Sequence, residues 1–212
     1  MAGKYKAYDQ GYSTQIGMLC GMSPNTESRG GRGARQRIER AAAELFYRRG
    51  IHASGVDLLT EEAHVSKRTF YQHFPSKNDL IETYLRAIDE RGGSPAERQL
   101  DKEHSTPRER LLAIFDAPAV NRYRGCPFHN AAVEAAGTLP VVDDIVRSHK
   151  QGFADRLASV AAEAGAADPH LLAQQVLVLF EGGTSLATSM NDTAPLVHAR
   201  TAAAQLIDAA CV

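Results

Sequence analysis

Cysteine is scarce: Cys20, Cys126 and Cys211 are the only three in 212 residues. An odd, scattered set with no C-x-x-C and no Cys/His ligand spacing leaves no way to close a metal shell, and it fits a reducing, cytoplasmic setting. Long apolar runs are missing as well. In the most hydrophobic helical region the longest strictly apolar run is Val176 to Phe180, far below the roughly 18 residues that span a bilayer. The first residues lack a basic-then-apolar block and an A-x-A-like cleavage site, so no secretory signal is expected. Net charge is nearly absent, at -1, which disfavours a protein that coats nucleic acid through bulk electrostatics. Sustained β alternation is lacking too, and with it any reason to expect a sheet.

What is present is a globular composition, 43% apolar and 23% charged with 17 Gly and 9 Pro, enough to build a core and too regular for a collagen-like, low-complexity or wholly disordered chain. The charge is polarised along the chain. Residues 1–91 hold 14 Lys/Arg against 11 Asp/Glu (+3), and residues 92–212 hold 10 against 14 (-4). Seven arginines (29, 32, 35, 37, 40, 48 and 49) face only Glu39 and Glu44 between positions 29 and 49.

Residues 1–30 show no periodicity and read as a basic leader, with Arg29, Arg32, Arg35 and Arg37 around Gly30, Gly31 and Gly33 able to reach phosphates or a minor groove. Ile38, Ala41, Ala42, Leu45 and Phe46 then repeat at helical spacing, and Arg48, Arg49 and Gly50 end that helix. Ser54-Gly-Val-Asp57 has capping-box form and opens a short helix. Ser66 can cap the next, with Phe70 and Phe74 on one face. Two short helices joined this tightly predict a helix-turn-helix. Ser76-Lys-Asn-Asp79 starts a fourth helix with Leu80, Ile81, Tyr84, Leu85 and Ile88 inward. Gly92-Gly93-Ser94-Pro95 breaks the pattern, although Ala96 to His104 could continue the helix beyond a kink. Thr106-Pro-Arg-Glu109 joins an N-cap, Pro at N1 and Glu at N3. Further helices follow near Pro127–Ala136, Pro140–Ala164, Pro169–Met190 and Pro195–Cys211, giving an all-α chain of about nine helices.

If Phe70 and Phe74 point inward, Lys67, Arg68, Thr69, Tyr71, Gln72 and His73 are left toward solvent. Lys and Arg can donate to guanine, Gln pairs with adenine, Thr touches a thymine methyl, and Tyr or Lys binds phosphate. The same set would equally make an ordinary polar helix face.

Arg37-Ile-Glu-Arg-Ala-Ala-Ala-Glu-Leu-Phe46, Gly50-Ile51 and Val65-Ser-Lys-Arg-Thr-Phe-Tyr-Gln-His-Phe-Pro-Ser-Lys77-Asn-Asp-Leu80 together resemble the DNA-binding domain of the tetracycline-repressor (TetR) family. Gly125-Cys-Pro-Phe-His-Asn-Ala-Ala-Val-Glu134 and the helix from Asp168 resemble the ligand-binding half of a subgroup of these regulators. The resemblance implies a reading helix beginning near Ser66, with Lys67, Arg68, Thr69, Gln72 and His73 near bases or phosphates and Tyr71 and Lys77 on the DNA backbone. It implies a leader over 1–30, a DNA-binding domain over 31–91, and a ligand-binding and dimerisation domain over 92–212. The expected protein is then a homodimeric regulator, a repressor of a palindromic operator that a small molecule releases, with no cofactor and no metal. His64 stands where the family places a turn glycine, so a positive φ is expected there. Thr60 and Leu58 depart from the usual small and polar residues.

In the C-terminal half, Leu172, Val176, Leu179 and Gly183 form an apolar stripe. Together with Leu196, Ala203 and Ile207 of the last helix they are expected to form the subunit contact, intramolecular burial being the alternative. Phe115, Phe128, His129, His149, Phe153, Phe180 and Glu181 are candidate pocket residues, because aromatic walls with a few polar groups suit small apolar ligands. Each Phe could instead be plain core, and His149 a satisfied buried imidazole. Cys126 beside His129 also admits an enzyme or a thiol-based redox sensor.

Overall fold

The computed structural model describes residues 33–102, 105–117 and 123–211. Arg29, Arg32 and the rest of the basic leader lie outside them, as does Cys20. The described residues form nine α-helices, which are α1 (Ala34–Arg49), α2 (Val56–Glu62), α3 (Lys67–His73), α4 (Lys77–Asp89), α5 (Pro107–Ala113), α6 (Pro127–Ala135), α7 (Pro140–Glu163), α8 (Pro169–Met190) and α9 (Ala194–Ala210). A 3-10 turn over Glu97–Asp101 lies between α4 and α5. No strand occurs among the described residues, only an isolated bridge between Ala166 and Cys211.

Two compact units emerge, one ending at Arg91 but also holding Pro127–Val146, the other holding Gly92–Cys126 and the chain from Arg147 on. The first segment of the first unit ends beside the Gly92-Gly93 break. That α6 and the start of α7 return to the first unit was not legible in the sequence, because nothing in a local pattern records which distant helix a segment packs on.

In the first unit α1 buries Ile38, Ala41, Ala42, Leu45 and Phe46, the residues its periodicity selects. Phe70 and Phe74 are 0% and 1% exposed, and Phe46 meets Tyr84 edge-on at 5.5 Å. The Ser54 capping box does not form. Gly55 is the N-cap of α2, and Ser54 is buried with its hydroxyl donating to the Gly50 carbonyl at 2.7 Å. Burial left that hydroxyl needing a partner, and the nearer carbonyl supplied it. Gly50 sits at φ 95 with the Glu134 carboxylate of α6 pressed against its Cα, where a Cβ would collide with it. The C-terminal glycine of α1 thus does more than end a helix: it admits α6.

The second unit packs Leu111, Leu112, Phe115, Phe153, Leu157, Leu172, Val176, Phe180, Ala203 and Ile207 into one core. Thr106 and Glu109 form the predicted capping box with Pro107 at N1. Arg108 pairs with Asp208 through two hydrogen bonds of 2.6 and 2.8 Å, and Arg110 with Glu163 at 2.6 Å.

The expected dimer residues are used differently. Leu172, Val176, Gly183, Leu196, Ala203 and Ile207 are all buried inside the single chain and Leu179 is half-buried. A Cβ on Gly183 would lie 3.0 Å from that of Ala199 and 3.4 Å from the Pro195 carbonyl, so this glycine lets α8 and α9 of one chain approach closely. The apolar side chains left outside are Leu171, Val178, Leu186 and Met190 on α8 and Val197 on α9. Periodicity identified the apolar stripe of α8 correctly but not its partner. A helix that is apolar on two faces gives its stronger face to the intramolecular core.

Candidate nucleic-acid interface

The turn between α2 and α3 is built by His64 at φ 50, with its N–H donating to the Glu61 carbonyl and the N–H of Val65 to that of Thr60. An imidazole occupies a backbone region that favours glycine, as the sequence implied. Ser66 then caps α3 by accepting from the Thr69 N–H at 3.1 Å. Only seven residues long, α3 places Phe70 inward and leaves Ser66, Lys67, Arg68, Tyr71 and Gln72 exposed, with Thr69 and His73 half-buried. Tyr71 is 52% exposed yet held edge-on against Phe70, ring centres 5.3 Å apart. The outer face therefore offers a guanidinium, an amide and an oriented phenol within two turns.

Two predicted phosphate ligands already have partners. The Lys67 ammonium lies 2.5 Å from Asp57 on α2, both well exposed, and that contact raises its pKa. Lys77 donates to the Ile51 carbonyl at 2.8 Å, and burial pulls its pKa down, so it anchors the loop after α1. Two of the leader arginines do structural work as well. Arg35 stacks 4.6 Å over the Phe74 ring and pairs with Glu39 at 2.8 Å, while Arg37 donates to the Ala63 carbonyl at 3.1 Å.

Sequence reasoning missed Glu134. Its carboxylate accepts from the His52 N–H at 3.0 Å, and the His52 ring returns to the Glu134 carbonyl at 2.5 Å. The end of α6 is thereby fastened to the loop between α1 and α2, 82 residues away in sequence.

In the second unit, Phe180 meets Phe115 and Phe153 at 5.9 and 5.7 Å, and all three are core. They pack against one another in that core. Phe128 is fully buried and His129 half-buried, both in the first unit. A concavity of about 330 Å³ lies between α1 and α4, lined among others by Glu39, Leu80, Thr83, Tyr84 and Arg91; none of the seven predicted pocket residues lines it.

His149 is indeed buried, and its Nε2 is 3.1 Å from Glu97 Oε1. Glu97, 0% exposed, was overlooked, although Ser94-Pro-Ala-Glu97 carries capping-box spacing. The Ser94 N–H does donate to Glu97, and the Glu97 N–H to the Ser94 hydroxyl. Burial opposes the Glu97 charge, but the His149 ring, the Lys150 ammonium and the Ser94 N–H outweigh it and hold the pKa down. Glu181 pairs with Lys150 at 2.5 Å, and the same ammonium lies 3.4 Å from Cys126 Sγ. No group of three His, Cys, Asp or Glu able to hold a metal occurs among the described residues.

Residues 38–84 match the model for bacterial regulatory proteins of the tetR family, and residues 107–203 match that for the tetracyclin repressor-like C-terminal domain. A tetR-type transcriptional regulator from Streptomyces avermitilis is 30% identical and superposes with a TM-score of 0.67, covering 84% of this chain and 97% of that one. The chain belongs to the TetR family. It is a DNA-binding transcriptional regulator, all-α, with an N-terminal helix-turn-helix. The TetR-family regulator SCO4454 of Streptomyces coelicolor shares the fold at 24% identity, TM-score 0.72, over 84% of this chain and 96% of its own. The HTH-type transcriptional activator FasR of Mycolicibacterium smegmatis is 35% identical over 113 residues, 53% of this chain and 40% of its own length. The regulator TcmR of Streptomyces glaucescens is 37% identical over 67 residues, 30% of its length. This TetR-family chain thus spans less than half the length of those two relatives. No helix among its described residues is long and apolar enough to cross a membrane.

Proposed function

We propose that the protein is a homodimeric repressor that reads a palindromic operator with α3 and leaves it when a small molecule binds the C-terminal unit. The observation that carries the DNA reading is the two-faced α3: Phe70 sealed in the core, Arg68, Tyr71 and Gln72 outside, and a Ser66 cap fixing where the helix begins. Arg68 and Gln72 read base edges, Thr69 and His73 support them at the groove wall, and Ser66, Lys67 and Tyr71 hold phosphates. Lys67 must exchange Asp57 for phosphate, whereas Lys77 acts through the loop it anchors. The stretch 31–91 serves as reading head and 1–30 as a basic arm adding salt-sensitive affinity.

Two-fold symmetry comes from the outward apolar residues Leu171, Val178, Leu186, Met190 and Val197, which a second copy would cover. Two α3 helices then demand half-sites about 34 Å apart or a multiple of that. An effector that prefers the state in which this spacing is lost, by about 1 to 3 kcal/mol, gives roughly 5-fold to 150-fold release. Footprinting on DNA flanking the coding region tests the proposal. The expected result is a protected inverted repeat overlapping a promoter; equal grip on random duplex at matched salt would refute it.

A further inference from the structure

The second unit contains a cluster that DNA reading does not use. Cys126 is 3% exposed and its Sγ lies 3.4 Å from the Lys150 ammonium, which also pairs with Glu181 at 2.5 Å. Tyr123 belongs to the same cluster. Burial pushes the pKa of its phenol up to about 12, so it stays protonated near the sulfur. Cys126 also immediately precedes Pro127, the first residue of the nine-residue α6. A sulfur at a helix N-terminus and beside an ammonium is stabilised as thiolate, and the Lys150 charge is stabilised in return by that sulfur and by two carboxylates, Glu181 and Glu97.

We propose that Cys126 is a covalent sensing site for small soft carbon electrophiles, namely α,β-unsaturated ketones and aldehydes, with Lys150 as its charge partner and proton donor. The thiolate attacks the β-carbon and the C–S bond forms. The C=C electron pair moves to the enolate, whose α-carbon takes a proton from the Lys150 ammonium, and Lys150 is reprotonated from water. The product is a neutral thioether. Loss of the thiolate charge is the signal, because it removes one of the three anionic partners of Lys150 and leaves the ammonium to Glu181 and Glu97. Oxidation to sulfenate would keep an anion beside Lys150 and change the balance little. Lys150 and Glu181 are about a quarter exposed, so the cluster reaches the surface, and the proposal requires a reagent small enough to pass beside them to the buried sulfur.

The position of this cysteine gives the adduct a route to DNA. From Cys126 to Glu134 the chain runs along α6, about 12 Å at 1.5 Å per residue, and Glu134 holds the His52 N–H in the reading head. An adduct that displaces the first residue of this rod shifts the residue that fastens its other end. The inference rests on the operator-binding reading above for its output, but not for its chemistry.

Methyl vinyl ketone is the probe. Peptide mapping of the full native chain should find Cys126 alkylated at least about tenfold faster than Cys211. Lys150→Met should lose that advantage and Lys150→Arg largely keep it. Operator affinity of the parent should fall on alkylation, and Cys126→Ser, still folded by circular dichroism, should bind DNA normally and ignore the ketone. Alkylation of Cys126 no faster than Cys211, or equally fast in Lys150→Met, would overturn the site whatever the DNA result. A fully alkylated protein that grips the operator unchanged would overturn the sensing role while leaving DNA binding itself intact.

Discussion

Single side chains divide the two tasks of the molecule between outward and buried groups. Arg68 and Gln72 are outward and unburdened by the core, so truncation of either to alanine should cost about 1–3 kcal/mol of discrimination at its own base pair. Lys67→Ala should instead weaken all duplexes alike and flatten the log-affinity against log-salt slope by about one; gel shifts at several salt concentrations distinguish the two patterns. Glu97 is a different kind of residue, a buried carboxylate whose pKa is held below its unfolded value. Its contribution is complete above the unfolded carboxylate pKa of about 4.3 and is lost as pH falls through the folded value. Glu97→Gln should therefore lower stability by about 3 kcal/mol at pH 7 and by much less at pH 3. Urea midpoints at the two pH values measure this. The Ser94 to Glu97 spacing was legible in the sequence. The His149 partner, 52 residues on, was not, because packing sets it.

At the scale of elements, the helices follow from local rules and their ends from caps. Ser66 supplies the side-chain cap of α3, and Ser66→Ala should cost about 1 kcal/mol, read as a lower thermal midpoint and a weaker operator complex. The α8–α9 contact depends on Gly183 lacking a Cβ. Gly183→Val should cost more than a surface change, about 1–3 kcal/mol by overpacking, with the loss visible in urea unfolding. Helix starts at Ser66, Ser76, Thr106 and Asp168 could be read from residue types, since each side chain accepts from the N–H three residues on. Ser54 could not, since its hydroxyl was claimed by a carbonyl that only burial brought near.

For the whole molecule, the exposed apolar residues on α8 and α9 matter most. Leu171, Val178, Leu186, Met190 and Val197 are each more than half exposed, and a second copy would bury them. Val178→Glu should yield a folded monomer by light scattering and reduce operator affinity severely, because a single reading head loses the linked half-site. A variant that stays dimeric and binds DNA as before would move the interface elsewhere.

The sequence by itself determined the helical class, the helix-turn-helix and the outward face of α3, because periodicity, caps and a turn residue tolerant of positive φ act over a few positions. Only the tertiary structure decided which apolar face of α8 stays inside, that Glu134 fastens α6 to the first unit, and that Lys150 lies beside Cys126. Those pairings join residues tens of positions apart, and chain folding, not local spacing, brings them within reach.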